Sequence, residues 1–233
     1  MKFIKNIINY RKNRERESKL SQKIYKIYSD DPKFLEDKST GIYKRSYKNY
    51  DEYLIHQSEK LQKVFDSVKE HDLEYELIVR DRYKDFKNWY GSSVLCLAAR
   101  LGGEVRAFKS LGALSIGIDL EPGPQNPFVL HGDFHNIQFA NMTFDYAFTN
   151  AIDHVLDIDV FLLEVSRILK PNGILIAEAA EIQPSKYEVL DTSDLNPLLQ
   201  IIQKHFVVLK SETISNKTSY ANWTGKALFL QKI

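Results

Sequence analysis

The sequence predicts an α/β protein built on a mostly parallel sheet covered on both faces. Three observations predict it. Between Ser93 and Ala180, short apolar runs alternate with helix-periodic segments, as expected of successive βαβ units. Polar residues collect at the carboxyl ends of those runs, where ligands of open parallel sheets bind. The last two apolar runs have only a short connection between them, which favours antiparallel pairing.

Residues 1–48 carry roughly 14 Lys/Arg against 6 Asp/Glu, while the whole chain has a net charge of +1. This basic segment is read as partly helical or flexible. A charge-rich face that stays wet explains it more simply than an anionic acceptor does. Helical periodicity begins near Asp51, with Leu54, Leu61, Val64, Phe65 and Val68 on one face and Ser58 and Lys60 off it. A second helix is expected from about Glu76 to Trp89, so residues 49–90 form a helical cap. Residues 91–233 form the α/β domain.

Within that domain the first strand is Val94–Ala98, and Val105, Phe108 and Leu111 then recur at helical spacing. Strands follow at Ser115–Asp119, Val129–Phe134 and Phe144–Asn150. Ile158, Phe161, Leu162, Val165, Ile168 and Leu169 form the core face of a helix that Asp157 or Asp159 caps. Lys170-Pro171-Asn172-Gly173 turns it into a strand at Ile174–Ala177. Ser193 or Asp194 is placed as the cap of a helix carrying Leu195, Leu198, Leu199 and Ile202, with Pro197 tolerable in its first turn. Strands at Phe206–Leu209 and Ala227–Leu230 complete the set.

The chain has 233 residues, 43% of them hydrophobic, enough for one medium-sized domain with an attached segment. One cysteine excludes an internal disulfide framework, and Cys96 in a buried strand is read as a small apolar residue. No apolar run has the length of a membrane span. The opening residues lack the pattern of a secretory signal. A cytoplasmic location is expected.

Five segments follow one another in order: Val94-Leu95-Cys96-Leu97, Gly117-Ile118-Asp119-Leu120, Gly132-Asp133-Phe134-His135, Thr149-Asn150 with Asp153-His154, and Leu169-Lys170-Pro171-Asn172-Gly173. Through them, residues from about 90 to 233 resemble the class I S-adenosylmethionine (SAM) dependent methyltransferases, within these a little-characterised bacterial and phage-type group. The resemblance implies a Rossmann-like seven-stranded sheet of order 3-2-1-4-5-7-6 with an N-terminal helical extension. It also implies SAM as cofactor and a small-molecule or glycan acceptor.

The resemblance also implies roles for residues. The turn Leu97, Ala98, Ala99, Arg100, Gly102 and Glu104 would face the methionine part of SAM. Ala98 stands where glycine is usual, and Cys96 where an acid is common. Glu104 is a candidate for the ammonium group and Arg100 for the carboxylate; both could equally be solvated residues at a helix start. Asp119, followed by Leu120, would accept from the ribose hydroxyls, a role that nicotinamide-binding folds share. Gly132, Asp133 and Phe134 would meet the adenine, Asp133 by accepting from the adenine amino group. Thr149 and Asn150 would lie beside the sulfonium. Asp153 and His154 are the catalytic candidates, with His154 either a general base or the group that orients its loop. Glu178, Glu181, Tyr187, Tyr220 and Trp223 are weaker candidates to reach the acceptor. His131 and His135 lack partners at metal-ligand spacing, so no metal is expected.

Two other functions compete. The altered turn suits a catalytically inactive binding or scaffolding protein of the same fold. A NAD-dependent oxidoreductase is disfavoured by the missing Gly-x-Gly-x-x-Gly spacing. Nucleic acid is disfavoured as a partner because no aromatic-interleaved basic patch belongs to the core.

Overall fold

The computed structural model describes residues 2–233. The side chains of residues 1–11, 13 and 61 lie outside that description, and with them the expectation for Leu61. The order is α1 (Lys2–Asp30), β1 (Phe34–Asp37), β2 (Ile42–Arg45), α2 (Tyr50–Tyr83), β3 (Ser93–Leu97), α3 (Gly103–Ser110), β4 (Leu114–Asp119) and β5 (Val129–His131). Then come β6 (Phe144–Thr149), a single 3₁₀ turn (Ile152–His154), α4 (Ile158–Ile168), β7 (Leu169–Ala180), α5 (Asn196–Ile202), β8 (Phe206–Lys217) and β9 (Asn222–Lys232).

Seven strands form one sheet in the order β5-β4-β3-β6-β7-β9-β8. The first five run parallel; β9 is antiparallel to both β7 and β8. This is the arrangement expected from the sequence. Strand alternation divides the core between the faces. Leu95, Leu97, Leu175 and Ala177 pack with α4 and α5 residues such as Phe161, Leu162 and Leu198. Val94, Cys96, Ile174 and Ile176 face the other way, toward Val105, Phe108, Tyr83 and Trp89. Side chains of a strand alternate between faces, and both faces are covered, so these strands read as continuous apolar runs. Burial drives the Cys96 thiol pKa well up, consistent with an inert packing role.

Three features differ from expectation. The basic segment contains a 29-residue helix and then a hairpin, β1–β2. The hairpin turn is held by Asp37, whose Oδ1 accepts from the Ser39 backbone N–H at 3.0 Å and its hydroxyl at 2.6 Å. The cap is one unbroken 34-residue helix, α2, capped by the Asn49 side chain, which accepts from the Glu52 N–H at 3.0 Å. Its polar middle is mostly exposed, but His71 and Asp72 turn inward. Asp72 is buried and pairs with Arg106 of α3 at 2.5 Å, joined by Glu76 at 2.7 Å. Finally, Leu195 begins α5 without a side-chain cap. Asp194 accepts from the Asn196 N–H, and Ser193 bonds to Asp191. Asp157 does cap α4, accepting from the Val160 N–H at 3.1 Å.

Candidate functional site

The site begins at the carboxyl end of β3. There the chain turns through Ala98 (φ 55°) and Arg100 (φ 45°), both left-handed. That conformation costs a residue with a Cβ about 1–2 kcal/mol, which is why glycine is the usual occupant. Here the turn is held from the next strand. The Arg100 N–H donates to Asp119 Oδ2 at 2.8 Å, and the Glu121 N–H to Oδ1 at 2.8 Å. Asp119 is therefore a buttress of the turn as well as a carboxylate at a strand end.

A hollow of about 60 Å³ opens over these strand ends. Ala98, Arg100, Asp119, Leu120, Gly132 and Phe134 line it, with Ala151 and His154 from the loop after β6. Tyr53, Gln57 and Lys60 of α2 close it. Of the residues singled out in the sequence, Ala98, Arg100, Asp119, Leu120, Gly132, Phe134 and His154 thus converge. A second, larger hollow of about 400 Å³ adjoins it, lined by Asn150, Asp153, Tyr187, Glu188, Tyr220 and Trp223, among others. Lys60, Arg100 and His154 belong to both.

Several candidates lie elsewhere. Leu97 and Ala99 are fully buried in the core. Thr149 is buried, donating to the Leu97 carbonyl and accepting from the Ala151 N–H. Gly102 (φ 91°) starts α3, where a Cβ would press on Phe128 and Val129. Glu104 is 3% exposed. Burial and nearby Asp72 raise its pKa well above the carboxylate range, so it is neither a solvated surface acid nor placed on the hollow's wall.

Asp133 is turned from the hollow. Its Oδ2 accepts from the Tyr50 hydroxyl at 2.5 Å, and Oδ1 from the His135 backbone N–H at 2.8 Å. His135 Nε2 accepts from the Asp157 N–H, so Nδ1 carries the proton that reaches Asp133 and Tyr50. Burial works against the Asp133 charge, but the His135 and Tyr50 hydrogen bonds lower its pKa. Asp119 and Asp133 thus flank neighbouring strand ends without both reaching the same hollow. Glu178 is also engaged: Tyr75, Tyr83 and Asn216 donate to it, and Arg82 pairs with it.

A compact charged cluster stands where the hollows meet. His154 Nδ1 lies 3.0 Å from the Tyr187 carbonyl. A carbonyl only accepts, so Nδ1 holds the proton and Nε2 presents its lone pair to Lys60 Nζ, 2.9 Å away. Burial and Lys60 hold the His154 pKa well below its usual value. Burial and Glu188 push Asp153 up to about 6. Burial and Arg100 push Lys60 down to about 7, against the pull of Glu188 and Asp153. Asp153, His154 and Glu188 each bring a ligand atom to within 4.8 Å of the others, a grouping the sequence did not suggest.

The resemblance implies that the helical cap walls the pocket, but the residues of α2 that do so were not singled out in the sequence. Tyr50, Tyr53, Gln57 and Lys60 recur at spacings of three, four and three, a second helical stripe beside the apolar one. That polar and aromatic row was the available signal.

A sheet of this order, ending in an antiparallel hairpin and hollowed over its parallel strand ends, defines the class I methyltransferase fold. Residues 95–177 match the family model described as "Methyltransferase domain". Over those residues the chain is similar to the methyltransferase-domain family, and its fold is that of the class I SAM-dependent methyltransferases. Among solved structures it is similar to a SAM-dependent methyltransferase from Thermotoga maritima, at 17% identity and a TM-score of 0.56, covering 74% of this chain and 98% of that one. It is also similar to a Pyrococcus horikoshii protein (16%, TM-score 0.52, 76% and 92%). A SAM-dependent methyltransferase from Methanosarcina mazei is a further match (16%, TM-score 0.51, 62% and 93%). No curated protein matches the sequence. Among the described residues, no helix is long and apolar enough to cross a membrane.

Proposed function

We propose that the protein transfers a methyl group from SAM to a small-molecule or glycan acceptor, with the cofactor in the first hollow and the acceptor in the second. The observation that carries this reading is the shared threshold: one hollow at the strand ends and one beside it have Lys60, Arg100 and His154 in common. Bound SAM supplies an electrophilic methyl group, and the protein supplies alignment and proton handling.

The residues present suit such a ligand. Asp119 accepts one backbone bond on each oxygen, and each oxygen keeps lone-pair capacity for a ribose hydroxyl. Phe134 and Tyr53 offer aromatic walls for a base. Among the described residues, the Arg100 guanidinium has no ion-pair partner within the chain, so it is available to a carboxylate. The adenine contact expected of Asp133 passes in this reading to Gly132 and Phe134. Tyr187, Tyr220 and Trp223 provide apolar faces for the acceptor, with Asn150 and Asp153 as polar partners.

Calorimetric titration with SAM, its demethylated product S-adenosylhomocysteine (SAH) and NAD tests the reading. SAM and SAH are expected to bind, and NAD is not. Binding of NAD without SAM would overturn it.

A further inference from the structure

We propose that Lys60 is the proton acceptor of the transfer step, with His154 as the residue that aims it. The inference rests on the methyl-transfer reading above and names the group that completes it.

Among the described residues, only three touch both hollows, and two cannot take a proton from an acceptor. Arg100 is a guanidinium, which stays charged in proteins. His154 has both ring nitrogens engaged, Nδ1 with the Tyr187 carbonyl and Nε2 with Lys60. Lys60 remains. As a neutral amine it donates one hydrogen to His154 Nε2, which fixes the amine and leaves its lone pair free of that contact. The ring of Tyr187, with its centroid 5.0 Å from Nζ, bounds another side.

The surroundings suit both protonation states. Facing Lys60 are Arg100 from the turn after β3, Asp119 from the end of β4, Asp153 and His154 from the 3₁₀ turn, and Tyr187 and Glu188 from the loop after β7. Burial and Arg100 favour the neutral amine, which brings its titration near pH 7, where a general base works best. Asp153 and Glu188 then meet the ammonium that forms. In the balanced step, an O–H or N–H bond of the acceptor breaks. Its heteroatom electron pair forms the new bond to the methyl carbon, and the proton goes to Lys60 Nζ. The former S–CH₃ pair stays on sulfur, leaving a neutral thioether.

The test requires no acceptor. SAM carries a sulfonium charge and SAH does not, so a nearby ammonium must lose its proton as SAM binds. Titration of the full chain with SAM and with SAH at pH 7, in two buffers of different ionisation enthalpy, reads the protons released. SAM is expected to release about half a proton, since Lys60 titrates near 7, and SAH close to none. Asp153, titrating near 6, is already mostly ionised there. Lys60→Met and Lys60→Arg should both abolish the difference, with a cooperative thermal melt as the check that each variant is folded. Equal proton release for SAM and SAH in the wild type, or a difference that survives in both variants, overturns the inference while leaving SAM binding intact. Binding of neither nucleoside overturns the functional reading and this one together.

Discussion

Gly103 donates its backbone N–H to Asp72 Oδ1 at 2.9 Å, and its bare Cα lies against the Asp72 backbone. This contact locks α3 to the middle of α2. A methyl group at Gly103 collides with main chain, which cannot swing aside as a side chain can. Gly103→Ala is expected to destabilise the fold by about 1–3 kcal/mol, the usual range for overpacking. Chemical denaturation measures it. An unchanged midpoint would show that α2 is free to retreat.

Asp119 should govern cofactor affinity. It braces the turn through Arg100 and Glu121 and faces the hollow. Hydrogen bonds to a charged group contribute about 1.5–3 kcal/mol, so Asp119→Asn is expected to weaken SAM binding by roughly ten- to a hundred-fold. Asp133→Asn should have a smaller effect on SAM, since its oxygens are occupied by Tyr50 and His135. Titrating both variants with SAH decides the order, and the reverse order would restore Asp133 to the adenine.

Arg82 and Glu178 form an ion pair inside the fold, with the Glu178 side chain wholly inaccessible. Removing one partner of such a pair leaves a charge buried, at a cost of about 3–5 kcal/mol. Arg82→Met is therefore expected to be strongly destabilising in urea. Glu178→Gln should be milder, because the amide oxygen still accepts from Tyr75 or Tyr83. Equal losses in the two variants would mean the charge itself is unimportant.

Acid should unfold the protein through its buried histidines. Burial, with Arg45 and Lys60, lowers His56 to about 3; burial and Arg100 lower His71 to about 4. The folded-state values lie below the unfolded value of about 6.5. The unfolded chain therefore takes up protons first as pH falls. Stability is intact above pH 6.5 and declines toward pH 3–4. Between pH 7 and pH 5 each histidine accounts for about 2 kcal/mol. Thermal melts across that range should fall, and His56→Gln should flatten the dependence. Identical slopes in the variant would remove His56 from the account.

The strands and the parallel-to-antiparallel change were legible in the short apolar runs and the short last connection, while the strand order was implied by the resemblance to class I methyltransferases. Asp119 was legible as a carboxylate at a strand end, and Gly132 and Phe134 through the same resemblance. What escaped were contacts between distant segments. Lys60 sits off the apolar face of α2, so periodicity alone assigns it to solvent. Only the fold brings it to His154, 94 residues away. The stretch between Val68 and Glu76 was left between two helices, whereas within it His71 and Asp72 are buried against Thr218 and Arg106. Asp133 carried the right residue type at a strand end, but nothing local reveals that Tyr50 claims it.

The two tryptophans of the chain occupy opposite worlds. Trp89 is 1% exposed, wedged beside Phe108 and Tyr146, while Trp223 borders the larger hollow. The molecule therefore contains its own pair of fluorescent reporters, one reading the integrity of the interior and the other the arrival of a guest. With Trp89 replaced by phenylalanine, and the acceptor bound as proposed, the remaining emission would become a label-free screen for acceptor compounds.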